Sequence, residues 1–369
     1  MRSNNGYTED LNDVRQYTCD QFDSHMDVSV VIPVYNAEAF INDAVRSALA
    51  CEQVREVVLV EDGSPDNSLP HCHKLVGSDT RVRLFRHEGG RNKGAAASRN
   101  VGIRNATCTY VAFLDADDRF LPERFAAEVP IFRDHPDADG VYSAIGVYYH
   151  DEEGQRRFDR LFRNKLTTVR VHLPPDQLFP AMIGLSGILD VGHFSLDGLT
   201  MKRSALLSMP QLMREDIGIG EDSEFIHRLA FHTRLYPGVL DAPVSLRGVH
   251  ADNRITKDPD RNASKLIMFN SLLEWSQRTP VGDAVRIKLH KDVVYYRILC
   301  AASAQDRVKG IGLVLRHPGL LKRIPISEAF VSMLFGRGTW LTRTFTPFVR
   351  RLHALLWKVK GGAPPVSVH

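Results

Sequence analysis

The chain has 369 residues, of which 43% are hydrophobic and 25% charged, a balance typical of a globular protein with one large domain or two. Its net charge of +3 conceals an asymmetry, because residues 307–369 carry eleven Lys/Arg against one acid, Glu328, and the rest of the chain is net acidic. No apolar run reaches about 18 residues, which argues against a membrane-spanning helix, and five scattered cysteines without a Cys-x-x-Cys spacing favour a reduced, cytoplasmic setting.

The first third of the chain alternates between predicted strands and helices. Residues 1–26 are polar and predict a loose leader rather than a secretory signal. Apolar, β-branched runs then predict strands, and apolar residues at helical spacing predict the helices between them. In chain order these are a strand at 28–34, a helix at about 39–50, a strand at 56–60, a short helix capped by Asp66, a strand at 81–86, a helix at 94–105 and a strand at 110–114. This order is the signature of a mostly parallel, doubly wound α/β sheet.

After residue 120 the alternation loosens. The sequence predicts a helix at 121–133, a strand at 140–149 with a hairpin turn at Asp151–Gly154, a helix between Pro174 and Gly184, and an extended piece at 193–200. Helices follow at 203–208 and from Glu221 to about His232, with a strand inside 238–250. Residues 262–360 are predicted to be mainly helical and become steadily more basic.

Three carboxylates, Asp115, Asp117 and Asp118, follow directly after the predicted strand at 110–114. Ligands of α/β sheets bind at the carboxyl ends of strands, so these side chains are expected at the mouth of the sheet. Asp115 and Asp117 lean the same way on an extended backbone and can hold Mg²⁺ or Mn²⁺, which favour oxygen ligands shared with phosphates. The alternative is an acidic turn in which Asp117 or Asp118 caps the next helix.

Four segments in this order and spacing resemble the family 2 glycosyltransferases, which are inverting enzymes of the GT-A fold. The segments are Val31–Asn36, Val60–Ser64, Asn92–Gly94 with Ala97–Gly102, and Phe113–Asp118. A looser match continues through Gly220–Asp222 and Arg247–Asn253 to about residue 255. The resemblance implies a GT-A, nucleotide-diphospho-sugar transferase fold at 27–256. This domain would comprise a nucleotide-sugar half at 27–120 and an acceptor half at 121–256, followed by a basic helical C-terminal extension at 257–369.

The resemblance further implies transfer of a sugar from a nucleotide-sugar to an acceptor hydroxyl, in the manner of a metal-dependent hexosyltransferase. The position that Asp62 matches contacts the nucleobase in the family. A carboxylate can accept the imide N–H of uracil, which favours a UDP-sugar. The donor-binding residues implied in this way are Pro33, Tyr35, Asn36, Glu38, Asp62, Gly63, Lys93, Gly94, Arg99, Asp115 and Ala116.

For the chemistry, the resemblance implies Mn²⁺ or Mg²⁺ held by Asp117, Asp115 and His250, with Asp115 shared with the ribose. Asp222 is the expected base that deprotonates the acceptor, and Glu221 is the alternate. For Asp222 the competing interpretation is a carboxylate that stabilises a helix N-terminus, and for His250 it is a surface histidine after a strand. The long spacing between Asp117 and Glu221 predicts an inserted hairpin at about residues 140–175 and leaves the acceptor class open.

The expected role is synthesis of a polysaccharide, glycolipid or cell-envelope glycan, with a glycan or lipid-linked acceptor and no nucleic acid. The alternative is a sugar-nucleotide-binding module or a nucleotidyltransferase of the same fold. The basic extension, with an amphipathic pattern at 341–357, either packs on the domain or a partner subunit or lies on the inner face of an anionic membrane. The oligomeric state is left open.

Overall fold

The computed structural model describes residues 26–162, 164–188, 190–253 and 261–300. Ten strands are described in these ranges. They are β1 (Val28–Val34), β2 (Val54–Glu61), β3 (Val82–Arg86), β4 (Tyr110–Phe113), β5 (Arg119–Phe120), β6 (Gly140–Tyr142), β7 (Ile145–Tyr149), β8 (Leu199–Lys202), β9 (Leu235–Pro237) and β10 (Ser245–Val249).

Ten α-helices connect or cover these strands in the same ranges. They are α1 (Ile41–Leu49), α2 (Ser68–Ser78), α3 (Ala95–Asn105), α4 (Glu128–Asp134), α5 (Glu152–Leu161), α6 (Pro175–Met182), α7 (Arg203–Leu207), α8 (Glu221–His232), α9 (Arg261–Arg278) and α10 (Asp283–Leu299). Two short 3₁₀ turns lie at Glu88–Gly90 and Leu196–Gly198.

The main sheet has seven strands in the order β3-β2-β1-β4-β8-β6-β9. Strands β3, β2, β1 and β4 are parallel, and β8 runs antiparallel to both of its neighbours, β4 and β6. Alternate residues of β1 enter different cores, Val31 on one face of the sheet and Val30 and Ile32 on the other, so helices cover both faces. The predicted mostly parallel, doubly wound α/β sheet is therefore confirmed. Its strand order reverses beside β1, which is where such sheets bind ligands.

A second sheet of three strands, β5-β10-β7, lies beyond the end of β4. In it β10 is parallel to β7 and antiparallel to β5. Residues 115–118, the acidic loop, lead directly into β5, so this small sheet holds the loop against segments that lie far away in the sequence.

Three predictions for the middle of the chain are wrong. The predicted strand at 140–149 is two strands, since the chain leaves the main sheet after Tyr142 and joins the small sheet at Ile145. Asp151 does not turn a hairpin; its carboxylate accepts the Gly154 N–H at 2.6 Å and caps α5. The inserted hairpin at 140–175 is accordingly not a hairpin but contains this helix. Asp followed by polar residues and Gly suits a helix cap as well as a turn, and the sequence alone did not separate the two.

Other boundaries differ less. The helix predicted at 121–133 begins only at Glu128, whereas the helix predicted from Glu221 to His232 has those bounds. In the C-terminal extension α9 and α10 pack together around Met268, Leu272 and Leu289. The predicted leader and the amphipathic segment at 341–357 lie outside the described residues. Within the described ranges, none of the helices combines the length and apolarity needed to cross a membrane.

Arg124 and Glu128 form a buried ion pair beside Asp197 and β8. Arg124 is 1% exposed, and it also donates to the Asp197 carbonyl and the Thr200 hydroxyl, both at 3.2 Å. Burial raises the pKa of Glu128 despite the neighbouring guanidinium. Removing one partner of such a pair leaves an uncompensated buried group.

We therefore expect Arg124→Met to lower the free energy of unfolding by about 3–5 kcal/mol, measured by urea denaturation. Arg133→Met is the matched control, because Arg133 is 64% exposed at its ion pair with Asp134. That control is expected to change the free energy of unfolding by less than about 1 kcal/mol. Equal effects of the two substitutions would contradict the structural role given to Arg124.

Candidate active site

Arg99 connects the acidic loop to a second pair of acids. Its guanidinium forms an ion pair with Asp115, which stands at the carboxyl end of β4. Burial alone would lower the pKa of Arg99, but the carboxylates of Asp115, Glu221 and Asp222 raise it overall. The Nε and Nη1 atoms of Arg99 are buried and have no hydrogen-bond partner in the described part of the chain. Arg99 therefore has three N–H bonds, one on Nε and two on Nη1, that none of the described groups accepts.

Asp118 and Asp197 are both 2% exposed and lie next to Asp115, with one carboxylate oxygen of each of the three within 4.8 Å of the others. Asp118 accepts the Gly248 N–H at 2.8 Å, and Asp197 accepts the Asp115 N–H at 3.0 Å. Burial and the neighbouring carboxylates raise the pKa of Asp118 well above its usual range. Burial, followed by Asp115, raises the pKa of Asp197 to about 6. Asp118 thus ties the acidic loop to β10, and Asp197 ties it to the turn before β8.

Asp117 faces the other way, toward the end of β10. Its Oδ2 atom accepts from the Asn253 amide at 2.8 Å and lies 3.4 Å from Nε2 of His250. Its backbone carbonyl accepts from the Tyr148 hydroxyl at 2.8 Å, and Nε2 of His150 lies 3.3 Å from the same oxygen. The structure therefore brings Asp117 and His250 together, whereas Asp115 lies with Asp118 and Asp197.

Both imidazoles beside Asp117 lie against Phe40, whose ring centroid is 4.5 Å from that of His150 and 4.8 Å from that of His250. Burial lowers the pKa of His150. A neutral imidazole of this kind can offer a nitrogen lone pair or an N–H.

Asp62, at the end of β2, holds the loop that leads into α3. Its carboxylate accepts the backbone N–H groups of Lys93 at 2.6 Å and Gly94 at 2.9 Å. Gly63 has a φ of +72°, and a Cβ atom there would lie 2.6 Å from the Gly90 carbonyl, so only glycine fits. The predicted donor residues Asp62, Gly63, Lys93 and Gly94 therefore form one structural unit.

The segment after β1 lies across from that unit. Asn36 adopts a left-handed conformation with φ of 52°, and its N–H donates to the Ser64 hydroxyl at 3.2 Å. Glu38 accepts from the backbone N–H and the side-chain amide of Asn67 at 3.2 and 2.9 Å, at the start of α2. Tyr35 is 51% exposed beside Pro33. The hydrogen bonds of Asn36 and Glu38 thus join the ends of β1 and β2. The remaining predicted donor residue, Ala116, is a buried member of the acidic loop.

Glu221 and Asp222 form the first turn of α8, behind Gly220 with its φ of +82°. Glu221 is 2% exposed, and the Asp222 carboxylate accepts the Ser223 N–H at 2.7 Å. Both carboxylates lie within electrostatic range of Arg99, as does Asp115. Arg99 is thus paired with Asp115 and is also stabilised in its charged form by both acids of α8.

The sequence did not single out four residues of this site, namely Asp197, Tyr148, His150 and Asn253. Asn253 was only part of the loosely matching segment Arg247–Asn253, and Asp197 lay in a stretch where no single residue could be named. The alternating pattern of Tyr148 and His150 does mark one face of a strand, but it does not tell which loop that face meets.

Residues 29–190, somewhat less than half of the chain, match the sequence model of Glycosyl transferase family 2. An uncharacterized glycosyltransferase from Haemophilus influenzae is 40% identical over 92 residues, which cover 25% of this chain and 36% of that protein. The minor teichoic acid biosynthesis protein GgaA from Bacillus subtilis is 25% identical over 221 residues, 58% of this chain and 45% of GgaA. The chain thus spans less than half the length of both curated relatives.

Among solved structures, the fold is similar to that of S. aureus TarS 1–349 in complex with UDP-GlcNAc. The TM-score is 0.55 at 15% sequence identity, and the similarity covers 93% of this chain and 95% of that one. At this identity the likeness concerns the fold alone.

Proposed function

Residues 29–190 belong to glycosyl transferase family 2, and on this premise we propose that the chain transfers a sugar from a UDP-sugar to an acceptor hydroxyl, with inversion at the anomeric carbon. The observation that carries the proposal is the buried guanidinium of Arg99, which pairs with Asp115 and lies within electrostatic range of Glu221 and Asp222. This arrangement joins a loop at the ligand-binding end of the sheet to a candidate base on α8. TarS was crystallised with UDP-GlcNAc, and GgaA is named for teichoic acid biosynthesis, which supports a UDP-sugar donor and a cell-envelope glycan product.

In this proposal the nucleotide lies over the ends of β1 and β2. The uracil lies beside Asp62, between the loop at Gly63 and the segment Pro33–Glu38. Because Asp62 already accepts two backbone N–H groups, its carboxylate oxygens have only their remaining lone pairs for an imide N–H. The carboxylate of Asp115, which Arg99 holds from the buried side by an ion pair, faces the ribose and sugar, while Lys93 and Gly94 line the phosphate side.

We assign the divalent cation, Mn²⁺ or Mg²⁺, to Asp117 and His250, with Asp115 as a further candidate. The donor set fits, because a carboxylate oxygen and an imidazole nitrogen lie 3.4 Å apart at the end of β10 and both are partly accessible. When bound, the cation would supply Lewis-acid stabilisation of the diphosphate leaving group. The protein's own part is to hold Asp117 in place, through the hydrogen bond from Asn253 to its side chain and that from Tyr148 to its carbonyl.

The acceptor hydroxyl would lose its proton to Asp222, with Glu221 as the alternate. Asp222 is the more accessible of the two acids, since Glu221 is 2% exposed. Inversion requires the acceptor oxygen to attack the anomeric carbon from the face opposite the leaving diphosphate, so the base that takes its proton stands on that same face. The placement of Asp222 on α8, across Arg99 from the acidic loop, suits that geometry.

The expected result of titrating the protein calorimetrically with UDP is a dissociation constant at least about tenfold lower with Mn²⁺ than without it. The reason is that a cation held by Asp117 would neutralise charge on the diphosphate, which UDP alone lacks. Asp117→Asn should abolish the difference, whereas Asp139→Asn, directly before β6, should preserve it. Equal affinities with and without Mn²⁺ in the unmodified protein would contradict metal dependence, and absence of UDP binding would contradict the donor class.

A further inference from the structure

Two neighbouring residues at the end of β3 contact the two neighbouring acids at the end of β2. The strands are parallel, and Arg86 lies opposite Glu61 in their register, so His87 and Asp62 follow at the same edge of the sheet. Nε of Arg86 donates to the Glu61 carboxylate at 2.7 Å, and Nε2 of His87 lies 3.4 Å from Oδ1 of Asp62. The end of β3 thus contacts the proposed uracil site, although β3 supplies none of the residues assigned to that site.

Glu61 is a buried carboxylate with a separate donor on each oxygen. Its side chain is 0% exposed. Oε2 accepts from Arg86, and Oε1 accepts the Ser64 N–H at 2.5 Å. Burial alone would raise the pKa of Glu61, but the hydrogen bonds from Ser64 and Arg86 lower it overall. The group is therefore ionised at neutral pH and fixes the turn at residues 62–64 from within the protein.

The contacts of this ion pair continue to the segments on either side. The Ser64 hydroxyl accepts the Asn36 N–H at 3.2 Å, which connects Glu61 to the segment after β1. The loop before α3 lies against Arg86, because a Cβ atom on Gly90 would be 2.8 Å from Nη2 of that guanidinium. The ion pair is thus linked to both segments between which we place the uracil, and to the loop that leads to Lys93.

The same two strands carry a second ion pair of this kind, between Arg83 and Glu56. The side chains of Arg83 and Arg86 are 41% and 42% exposed, and those of their acids are 6% and 0% exposed. Glu56, however, lies near the start of β2, where it also accepts from the Ser29 hydroxyl and the Thr107 N–H. The two pairs therefore match in burial and differ in which end of the sheet they hold.

We propose that Glu61 and Arg86 are positioning residues for nucleobase selection. Arg86 fixes Glu61, and Glu61 holds the turn at residues 62–64 so that Asp62 presents a carboxylate oxygen to the imide N–H of uracil. This inference rests on the proposed function. Cytosine has a lone pair on N3, where uracil has the imide hydrogen, and so gains nothing from that orientation of Asp62. The ion pair should therefore act on the difference in affinity between UDP and CDP.

The test is calorimetry of the full chain with UDP and with CDP, each in the presence of Mn²⁺. Arg86→Met should raise the dissociation constant for UDP by about tenfold or more, the effect of one lost hydrogen bond to a charged group. The dissociation constant for CDP should change by less than about threefold, so that the preference for UDP falls. Arg83→Met is the matched control, because it breaks the equivalent ion pair on the same strands, and it should preserve the preference.

Glu61→Gln carries the test if Arg86→Met does not fold, as judged by urea denaturation. A glutamine side chain has one acceptor oxygen for two donors, so its NH₂ group must face either the Ser64 N–H or Arg86. It leaves no buried carboxylate without a cation, and it should also lower the preference for UDP, by about threefold or more. Glu56→Gln is the corresponding control and should preserve the preference.

The outcomes separate this inference from the proposed function. Absence of UDP binding, or equal affinities for UDP and CDP in the unmodified protein, would contradict the proposed uracil site and this inference with it. If the unmodified protein prefers UDP and the folded variants of Arg86 and Glu61 keep that preference, the inference fails while the donor site stands. An equal loss of preference in Arg83→Met and Arg86→Met would trace the effect to the sheet as a whole and would likewise overturn it.

Discussion

Asp222→Asn is expected to lower the rate of sugar transfer by at least about 10³-fold while the dissociation constant for UDP with Mn²⁺ stays within a factor of two. The substitution preserves the size of the side chain and its acceptor oxygen for the Ser223 N–H, but removes the carboxylate that we propose as the base. Transfer is measured as acceptor-dependent release of UDP, and binding by calorimetry. Because the acceptor hydroxyl is a poor nucleophile until it is deprotonated, the loss should fall on the turnover rate rather than on donor affinity.

Glu221→Gln provides the comparison for that prediction. If Asp222 is the base, Glu221→Gln retains measurable transfer; if Glu221 is the base, the two phenotypes exchange. The competing role for Asp222, stabilisation of the N-terminus of α8, predicts a different pattern. It would cost about 0.3–1 kcal/mol of stability and leave transfer intact. Urea denaturation of Asp222→Asn therefore accompanies the kinetic measurement, and full transfer with a small stability loss would reassign the residue.

Gly248→Ala is expected to lower transfer by about 10²-fold and to weaken the effect of Mn²⁺ on UDP binding. A Cβ atom at this position of β10 would lie 2.0 Å from the Asp117 carbonyl, 2.6 Å from Nε2 of His150 and 2.9 Å from the Tyr148 hydroxyl. The Gly248 N–H also donates to Asp118. One added methyl group therefore forces the acidic loop away from the groups that position it. Displacement of a catalytic group by about 1 Å can cost about that factor in rate.

Gly77→Ala is the matched control, since a Cβ atom at Gly77 in α2 would meet no heavy atom within 4 Å. It should leave transfer unchanged. The folded state of both variants is compared by circular dichroism and urea denaturation, because the expected effect of Gly248→Ala is local. Retained transfer and an unchanged Mn²⁺ effect in Gly248→Ala would show that the loop does not depend on its contact with β10.

The parallel half of the sheet could be predicted, because each of its strands and helices is marked by the residues within it. Each of the strands β1 to β4 is a short apolar run followed by a helical pattern, and parallel strands joined by helices have one favoured arrangement. The ends of those strands carry Asp62 and Asp115, so their position at one edge followed from the same rule. The bounds of α8 were also predictable, because Gly220 and the acids after it mark a helix start.

The rest depended on contacts between distant segments. Asp197 lies in a stretch without a recognisable motif. Its carboxylate accepts the Asp115 N–H only because β8 pairs antiparallel with β4. His150 and His250 are a hundred positions apart in the sequence and meet because β7 and β10 are parallel neighbours in register. The chain leaves the main sheet after Tyr142, and no residue type at that point predicts the end of the strand. Periodicity describes one element at a time, whereas these features belong to pairs of elements.

The small sheet β5-β10-β7 also has a consequence for the order of events during synthesis. Its strands come from residues 119–120, 145–149 and 245–249, so its contacts have long sequence separation, and chain closure for them is slow. On a ribosome, the strands β1 to β4 can pair as soon as β4 has emerged. Asp117 acquires its contacts with Asn253 and His250 only after β10 has been synthesised. A nascent chain halted at residue 190 would contain the whole segment that matches the family model and would still lack both α8 and β10.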